Sequence, residues 1–157
     1  MEKYLYLGVL LFAISYPLAQ SFEHRIRYAT QWKYLFPGML GTAAFFIVWD
    51  IWFTNLGVWE FNSRYVLGWF FLDLPIEEWL FFFIVPFSSV FIYEVLIYFF
   101  PKDHFLPFGK YFVWILAPFL LVMSILHLDK WYTSVNFFVG ALTLVIHYLI
   151  FKEKYFG

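Results

Sequence analysis

Long apolar stretches separated by short polar segments dominate this chain. A bilayer core needs about 20 helical residues, and hydropathy predicts five such spans, near residues 4–20, 34–53, 75–100, 111–128 and 131–151. Residues 65–100 cannot form one span, because a helix of that length would reach about 50 Å. The pattern therefore predicts an all-α fold, a polytopic membrane bundle of about five transmembrane helices.

The break within residues 65–100 is expected at Asp73-Leu74-Pro75. Proline suits the first turn of a helix, so the third span should start at Pro75, with Asp73 outside it as a cap. Residues 65–72 are then a short interfacial or re-entrant piece. Pro86 should kink the third span, and the short connection at residues 128–130 predicts that spans four and five form an antiparallel hairpin.

Composition supports the membrane assignment and excludes several classes of protein. Of 157 residues, 64% are apolar and 13% are charged, whereas soluble domains average about half and about a quarter. A net charge of -1 gives a nucleic acid no electrostatic attraction. The absence of cysteine excludes disulfides and thiolate metal sites. No Gly-x-Gly-x-x-Gly occurs and His127 and His147 lack ligand spacing, so we expect neither a cofactor nor a metal.

The basic residues are divided unequally between the two sides of the predicted bundle. One side carries seven of them: Arg25, Arg27, Lys33, Lys102, Lys110, Lys152 and Lys154. The other side carries three: Lys3, Arg64 and Lys130. The positive-inside rule then predicts an outer N-terminus and an inner C-terminus. Residues 54–74 and the entry to the third span fall on the outer side.

The outer side is rich in acidic groups interleaved with tryptophans. Its five carboxyls are Asp50, Glu60, Asp73, Glu77 and Glu78. One interpretation is structural: an aspartate cap, glutamates at the positive end of the helix dipole, and an interfacial tryptophan belt. That interpretation needs only one or two acids. The adjacent glutamates also point about 100° apart on a helix, so at most one can face a given cavity squarely.

The alternative interpretation is chemical. Carboxyls that are crowded near lipid favour their neutral form, and a carboxyl kept protonated near neutral pH can act as a general acid. Aromatic faces around it could stabilise a carbocation through cation–π attraction. These features predict protonation of an apolar substrate dissolved in the lipid.

The motifs around these acids resemble a known family. They are Trp49-Asp50, Gly57-x-Trp59-x-Phe61-Asn62-x-x-Tyr65, Gly68, Leu74-Pro75-Ile76-Glu77-Glu78-x-x-Phe81-Phe82 and Val85-Pro86. The pattern resembles the lycopene cyclase domain, the small three-helix membrane domain of heterodimer-type and fused carotenoid cyclases of bacteria, archaea and fungi. The resemblance covers residues 1–100 as one full domain. Residues 101–157 look like the start of a second, incomplete copy, a two-helix hairpin.

The resemblance implies a function and a set of site residues. The substrate would be lycopene or a related linear carotenoid, whose end group closes into a ring after protonation, with no net redox change and no flavin. Glu77 and Glu78 would be catalytic, without a choice between them for the acid. The candidate substrate-binding residues are Asp50, Trp59, Asn62, Tyr65, Asp73, Phe81 and Phe82. The location would be the cytoplasmic membrane of a bacterium or archaeon.

Family members commonly work with two such domains, so the resemblance also implies a partner. We expect either that the chain is truncated or that it pairs with itself or with a separate cyclase domain. Two other functions stay open. One is a carotenoid end-group hydratase of the same superfamily, which would trap the cation with water. The other is a non-catalytic carotenoid-binding or scaffold subunit whose partner performs the chemistry.

Overall fold

The computed structural model describes residues 2–100 and 106–151, and these parts of the chain are essentially all-α, as predicted. Their five α-helices are α1 (Leu5–Gln20), α2 (Trp32–Asn55), α3 (Ile76–Phe99), α4 (Leu106–Leu126) and α5 (Trp131–Phe151). Short 3-10 turns precede α1 and α2, at Glu2–Tyr4 and Tyr28–Gln31. Each helix agrees with a predicted span to within a few residues.

Four of these helices are long and apolar enough to cross a membrane. The spans are Tyr28–Asn55, Ile76–Phe99, Phe108–Leu126 and Trp131–Phe151. The protein is therefore an integral membrane protein. Helix α1 has 16 residues, fewer than the roughly 20 that a bilayer core requires, so a fifth span stays a prediction.

The chain divides into two compact units, Met1–Pro101 and Lys102–Gly157. In the first unit, α3 packs against both α1 and α2. Its core has two clusters of buried residues, which are Tyr28, Met39, Phe87 and Phe91 in one and Ala43, Ile47 and Leu74 in the other. In the second unit α4 and α5 form the predicted hairpin, with the Ser124 hydroxyl donating to the Ser134 carbonyl at 2.9 Å.

A proline in α1 explains one of the contacts between α1 and α3. Pro17 has no N–H, so the carbonyl of Ala13, four residues earlier, loses its donor within the helix. The Ser88 hydroxyl of α3 donates to that carbonyl at 3.1 Å. Two buried polar groups thus satisfy each other where no water is expected. Helix α3 itself runs unbroken through Pro86, and the predicted kink there stays a prediction.

The segment before α3 is a small hairpin. Strand β1 (Phe70–Phe71) pairs antiparallel with β2 (Leu74–Pro75). The two turn residues, Leu72 and Asp73, both have positive φ, 49° and 64°, which is the geometry of a type I′ turn. This geometry gives the interfacial piece a defined structure.

The hairpin corrects two expectations about the start of α3. Asp73 does not cap the helix, because the turn places its side chain at the exposed tip of the hairpin. Helix α3 begins at Ile76, one residue later than expected. Pro75 is its N-cap residue and makes no side-chain cap bond. Proline is suited to this place because its ring fixes φ near -65°, and the extended backbone that ends β2 has φ -65° and ψ 151°.

Candidate active site

Three carboxyls and one phenol meet at one end of the first unit. Asp50 lies in the last two turns of α2, Glu77 and Glu78 lie in the first turn of α3, and Tyr6 lies in the first turn of α1. The Tyr6 hydroxyl is close enough to all three carboxyls to interact with their charges, and Asp50 interacts with Glu78 in the same way. We call these four residues the carboxyl cluster.

Glu77 holds the loop that covers the cluster. Its side chain is 0% exposed, and Oε1 accepts a hydrogen bond of 2.7 Å from the backbone N–H of Leu67. The other oxygen, Oε2, is buried and has no hydrogen-bond partner among the described residues. Burying an unpaired carboxyl oxygen is costly. The bond from Oε1 ties the loop to α3, whereas the burial of Oε2 lowers the stability of the fold.

Glu78 points towards α1 and is only partly buried. Its Oε2 accepts a hydrogen bond of 2.6 Å from the Tyr6 hydroxyl. The two glutamates therefore diverge, one to the loop and one to α1, as their spacing on a helix predicts. Both glutamates lie in the first turn of α3, where the helix dipole favours them, and each also accepts a hydrogen bond from outside that helix.

Asp50 lies beside a wall of aromatic rings. It is 7% exposed, and Oδ2 is buried without a partner among the described residues. The indole of Trp59 interacts with its carboxyl and also donates to Thr54 Oγ1 at 3.0 Å. The Trp59 ring stacks on Phe53, with centroids 5.6 Å apart and planes at 24°. A buried acid with one unpaired oxygen thus lies beside the N–H edge of the Trp59 indole.

The loop after α2 begins with a defined helix stop. Gly57 has φ +68°, and its N–H donates to the Thr54 carbonyl while the Val58 N–H donates to Phe53. These are the two bonds of a Schellman motif, which favours glycine at this position. The stop turns the chain sharply and brings Trp59 back over the end of α2.

The rest of the loop is tied down by backbone bonds to α1 and α3. The Tyr6 N–H donates to the Tyr65 carbonyl at 3.3 Å, and the Ile76 N–H donates to the Trp69 carbonyl at 2.9 Å. The Asn62 side chain accepts from the Arg64 N–H at 3.0 Å, which closes a local turn. Residues 57–69 thus lie across the end of the helices that carry the cluster.

The structure separates the predicted site residues into three groups. Asp50, Glu77, Glu78 and Trp59 are brought together. Asn62, Tyr65 and Asp73 have exposed side chains in the loop and hairpin, as does Glu60. Phe82 packs on the Ala43, Ile47 and Leu74 core, and the edge of Phe81 meets it with ring centroids 5.6 Å apart.

The arginine on this side does not neutralise the carboxyl cluster. Arg64 forms an ion pair with Glu2, and one of its two hydrogen bonds, from Nη2 to Oε1, is 2.9 Å long. This hydrogen bonding holds the pKa of Glu2 below its ordinary value. The acidic motif is therefore left without the cation that the sequence places nearest to it.

Sequence reasoning missed Tyr6, Thr54 and the Leu67 N–H. A signal for Tyr6 was present, because the predicted topology puts the start of the first span and the start of the third on the same side. In the sequence Tyr6 resembles any other interfacial aromatic residue, and its role becomes visible only when the starts of the two helices are placed side by side. The Leu67 contact had no signal, since a backbone donor in an irregular loop leaves no mark in the sequence.

An apolar groove follows the same two helices away from the cluster. It has a volume of about 440 Å³ and is lined by residues of α1 and α3 that include Phe12, Tyr16, Phe91 and Ile92. Phe12 lies six residues beyond Tyr6, which is about 9 Å along a helix. An elongated apolar molecule in this groove would therefore run along the helices that carry Tyr6 and Glu78.

Comparison with known proteins gives one match. The family model described as lycopene cyclase matches residues 3–96 and 129–157, well over half of the chain. Neither the curated proteins nor the solved structures contain a match. The first matched segment includes the whole carboxyl cluster, from Tyr6 to Glu78. The chain belongs to the lycopene cyclase family.

Proposed function

We propose that this protein is a membrane carotenoid cyclase, or a subunit of one, that closes a ring at the end group of a linear carotenoid such as lycopene. Membership of the family supports cyclase-type function, and the helices suit a substrate that dissolves in lipid. The observation that carries the proposal is the carboxyl cluster. It gathers three acids, two of which, Asp50 and Glu77, have an unpaired buried oxygen, and none of the three has a basic partner among the described residues.

The proposed reaction needs only proton transfer. A neutral carboxyl adds its proton to the terminal carbon–carbon double bond, which leaves a tertiary carbocation. A neighbouring double bond of the same chain attacks this cation, so that a carbon–carbon bond closes the ring and the positive charge moves into it. Loss of a ring proton to a carboxylate restores a double bond. Substrate and product are isomers, and the acid is regenerated.

We assign the acid to Glu78. Each glutamate has one oxygen in a hydrogen bond, but Glu77 is completely enclosed, whereas Glu78 is partly exposed and its Oε1 has no hydrogen-bond partner among the described residues. A general acid must reach the atom that it protonates. Burial beside lipid favours the neutral form of Glu78. Asp50, which interacts with Glu78, accepts the final proton and returns it to Glu78.

The aromatic wall beside Asp50 supports the charged intermediate. Ring faces attract a cation without offering a nucleophile that would trap it. Trp59, which is partly exposed and stacks on the enclosed ring of Phe53, is the candidate ring for this cation, and the loop at residues 57–69 lies over this end of the unit. Exclusion of water matters here, since water would convert the cation into a hydroxylated product.

We also propose that the active form contains a second cyclase domain, from a separate chain, a longer form of this chain or another copy of it. The second unit, as far as residues 106–151 describe it, carries no further Pro-x-Glu motif. The proposed orientation places the carboxyl cluster on the outer side of a bacterial or archaeal cytoplasmic membrane. The excess of basic residues on the opposite side supports this orientation.

The test is expression in a host that accumulates lycopene, followed by chromatography of the pigments. The chain is expressed alone and together with a second lycopene cyclase domain, and Glu94→Gln, at the far end of α3, serves as a matched carboxyl control. A cyclic carotenoid in either arm supports the proposal, and Glu94→Gln should leave it unchanged. Unchanged lycopene in both arms overturns the proposal, and a hydroxylated acyclic product overturns it in favour of a hydratase.

A further inference from the structure

The phenol of Tyr6 has a contact that the proposed acid–base roles do not use. It is partly buried in the first turn of α1, and its hydroxyl donates to Glu78 Oε2 at 2.6 Å, across 72 residues of sequence. That distance lies at the short end of the range for O–H···O bonds. The backbone N–H of the same residue donates to the Tyr65 carbonyl, so the start of α1 is tied to the loop.

We infer that Tyr6 is a positioning residue for Glu78: its hydroxyl holds Oε2, so that Oε1 carries the proton and faces the substrate. This inference rests on the proposed function. A hydroxyl that donates to Oε2 leaves Oε1 as the oxygen that can hold the acidic proton. The bond also restricts rotation of the carboxyl group, which would otherwise present either oxygen to the substrate.

The same bond acts on the rate of the proton transfer. While Glu78 is neutral, the phenol donates to an uncharged carboxyl. As the proton leaves Oε1, negative charge spreads to Oε2 and the bond becomes charge-assisted, about twice as strong. An interaction that strengthens only as the reaction proceeds raises kcat rather than affinity. Removing the hydroxyl should therefore lower kcat about tenfold and leave KM within about twofold.

The test compares Tyr6→Phe with Tyr4→Phe, since Tyr4 is an exposed tyrosine just before α1. Both full-length variants are assayed for kcat and KM with the second cyclase domain present. Infrared spectra of the purified proteins give a second measurement, with the Glu78 carboxyl band identified by its loss in Glu78→Gln. In Tyr6→Phe we expect the band to shift and kcat to fall about tenfold, with Tyr4→Phe like the wild type.

The two proposals fail differently. If the wild type cyclises lycopene but Tyr6→Phe keeps both its band and its kcat, the positioning role is overturned and the proposed function stands. A shifted band with an unchanged kcat also overturns it, because the bond would then be structural only. If the wild type forms no ring, either alone or with the second domain, the proposed function is overturned, and the positioning role of Tyr6 with it.

Discussion

Replacement of Glu77 tests whether this residue holds the loop over the cluster. In Glu77→Ala the Leu67 N–H loses its acceptor, and a fully buried side chain is replaced by a void. A hydrogen bond to a carboxylate contributes about 1.5–3 kcal/mol, and leaving its donor unpaired adds to the loss. With the cavity, we expect the free energy of unfolding to fall by about 2–4 kcal/mol.

Glu77→Gln separates the acceptor oxygen from the charge. Glutamine keeps a carbonyl oxygen for the Leu67 N–H, and its NH₂ group takes the place of the unpaired Oε2. We therefore expect this variant to stay within about 1 kcal/mol of the wild type. The control is Glu94→Ala, which removes a partly exposed carboxyl from the other end of α3.

The assay is the rate of tryptic cleavage after Arg64, which lies within the loop, together with unfolding in mixed micelles followed by tryptophan fluorescence. Cleavage requires local opening, so a loss of 1.4 kcal/mol in the loop raises its rate about tenfold. We expect Glu77→Ala to be cut at least about tenfold faster than the wild type and Glu77→Gln to resemble it. Equal cleavage rates for Glu77→Ala and the wild type would refute the reasoning. An equal loss of unfolding free energy in Glu77→Ala and Glu77→Gln would refute it too.

Three further predictions concern other contacts in the first unit. Ser88→Ala should cost about 1 kcal/mol by leaving the Ala13 carbonyl unpaired, and this cost should vanish in a Pro17→Ala background, where the helix supplies its own donor; a double-mutant cycle of unfolding free energies measures the coupling, and additive effects would count against it. Gly57→Ala should lower the free energy of unfolding by about 1 kcal/mol through the positive φ alone, because a Cβ there meets no atom within 4 Å. The midpoint of thermal unfolding measures this loss, and an unchanged midpoint would contradict it. Asn62→Asp keeps the turn acceptor, so ring formation should stay within about twofold of the wild type, and a complete loss would indicate a direct role for the amide.

The sequence predicted the helices well because each is a long apolar run with a distinct polar boundary. It also placed Asp50, Glu77 and Glu78 on one side, since the end of one span and the start of the next lie on the same side of a membrane. The hairpin at residues 70–75 could not be predicted, because Leu72 adopts a positive φ that leucine rarely takes and no glycine marks the turn. Asp73 was misassigned as a cap for the same reason.

The division of roles between the two glutamates required the structure. The two glutamates are chemically identical and adjacent, so the sequence shows only that their side chains point in different directions on the helix. What each one meets depends on the loop and on α1, far away in sequence. Asn62 and Tyr65 make a local turn and a backbone link in the loop, and their role as substrate contacts stays a prediction.

The central claim is that Glu78 starts ring closure by giving a proton to the carotenoid. Mass spectrometry of the pigments formed in D₂O by the wild type and by Glu78→Gln, each with the second domain present, tests it most directly. The account predicts a cyclic product from the wild type with one deuterium for each ring closed, and no cyclic product from a folded Glu78→Gln variant. Deuterated cyclic product from Glu78→Gln at the wild-type rate would contradict it.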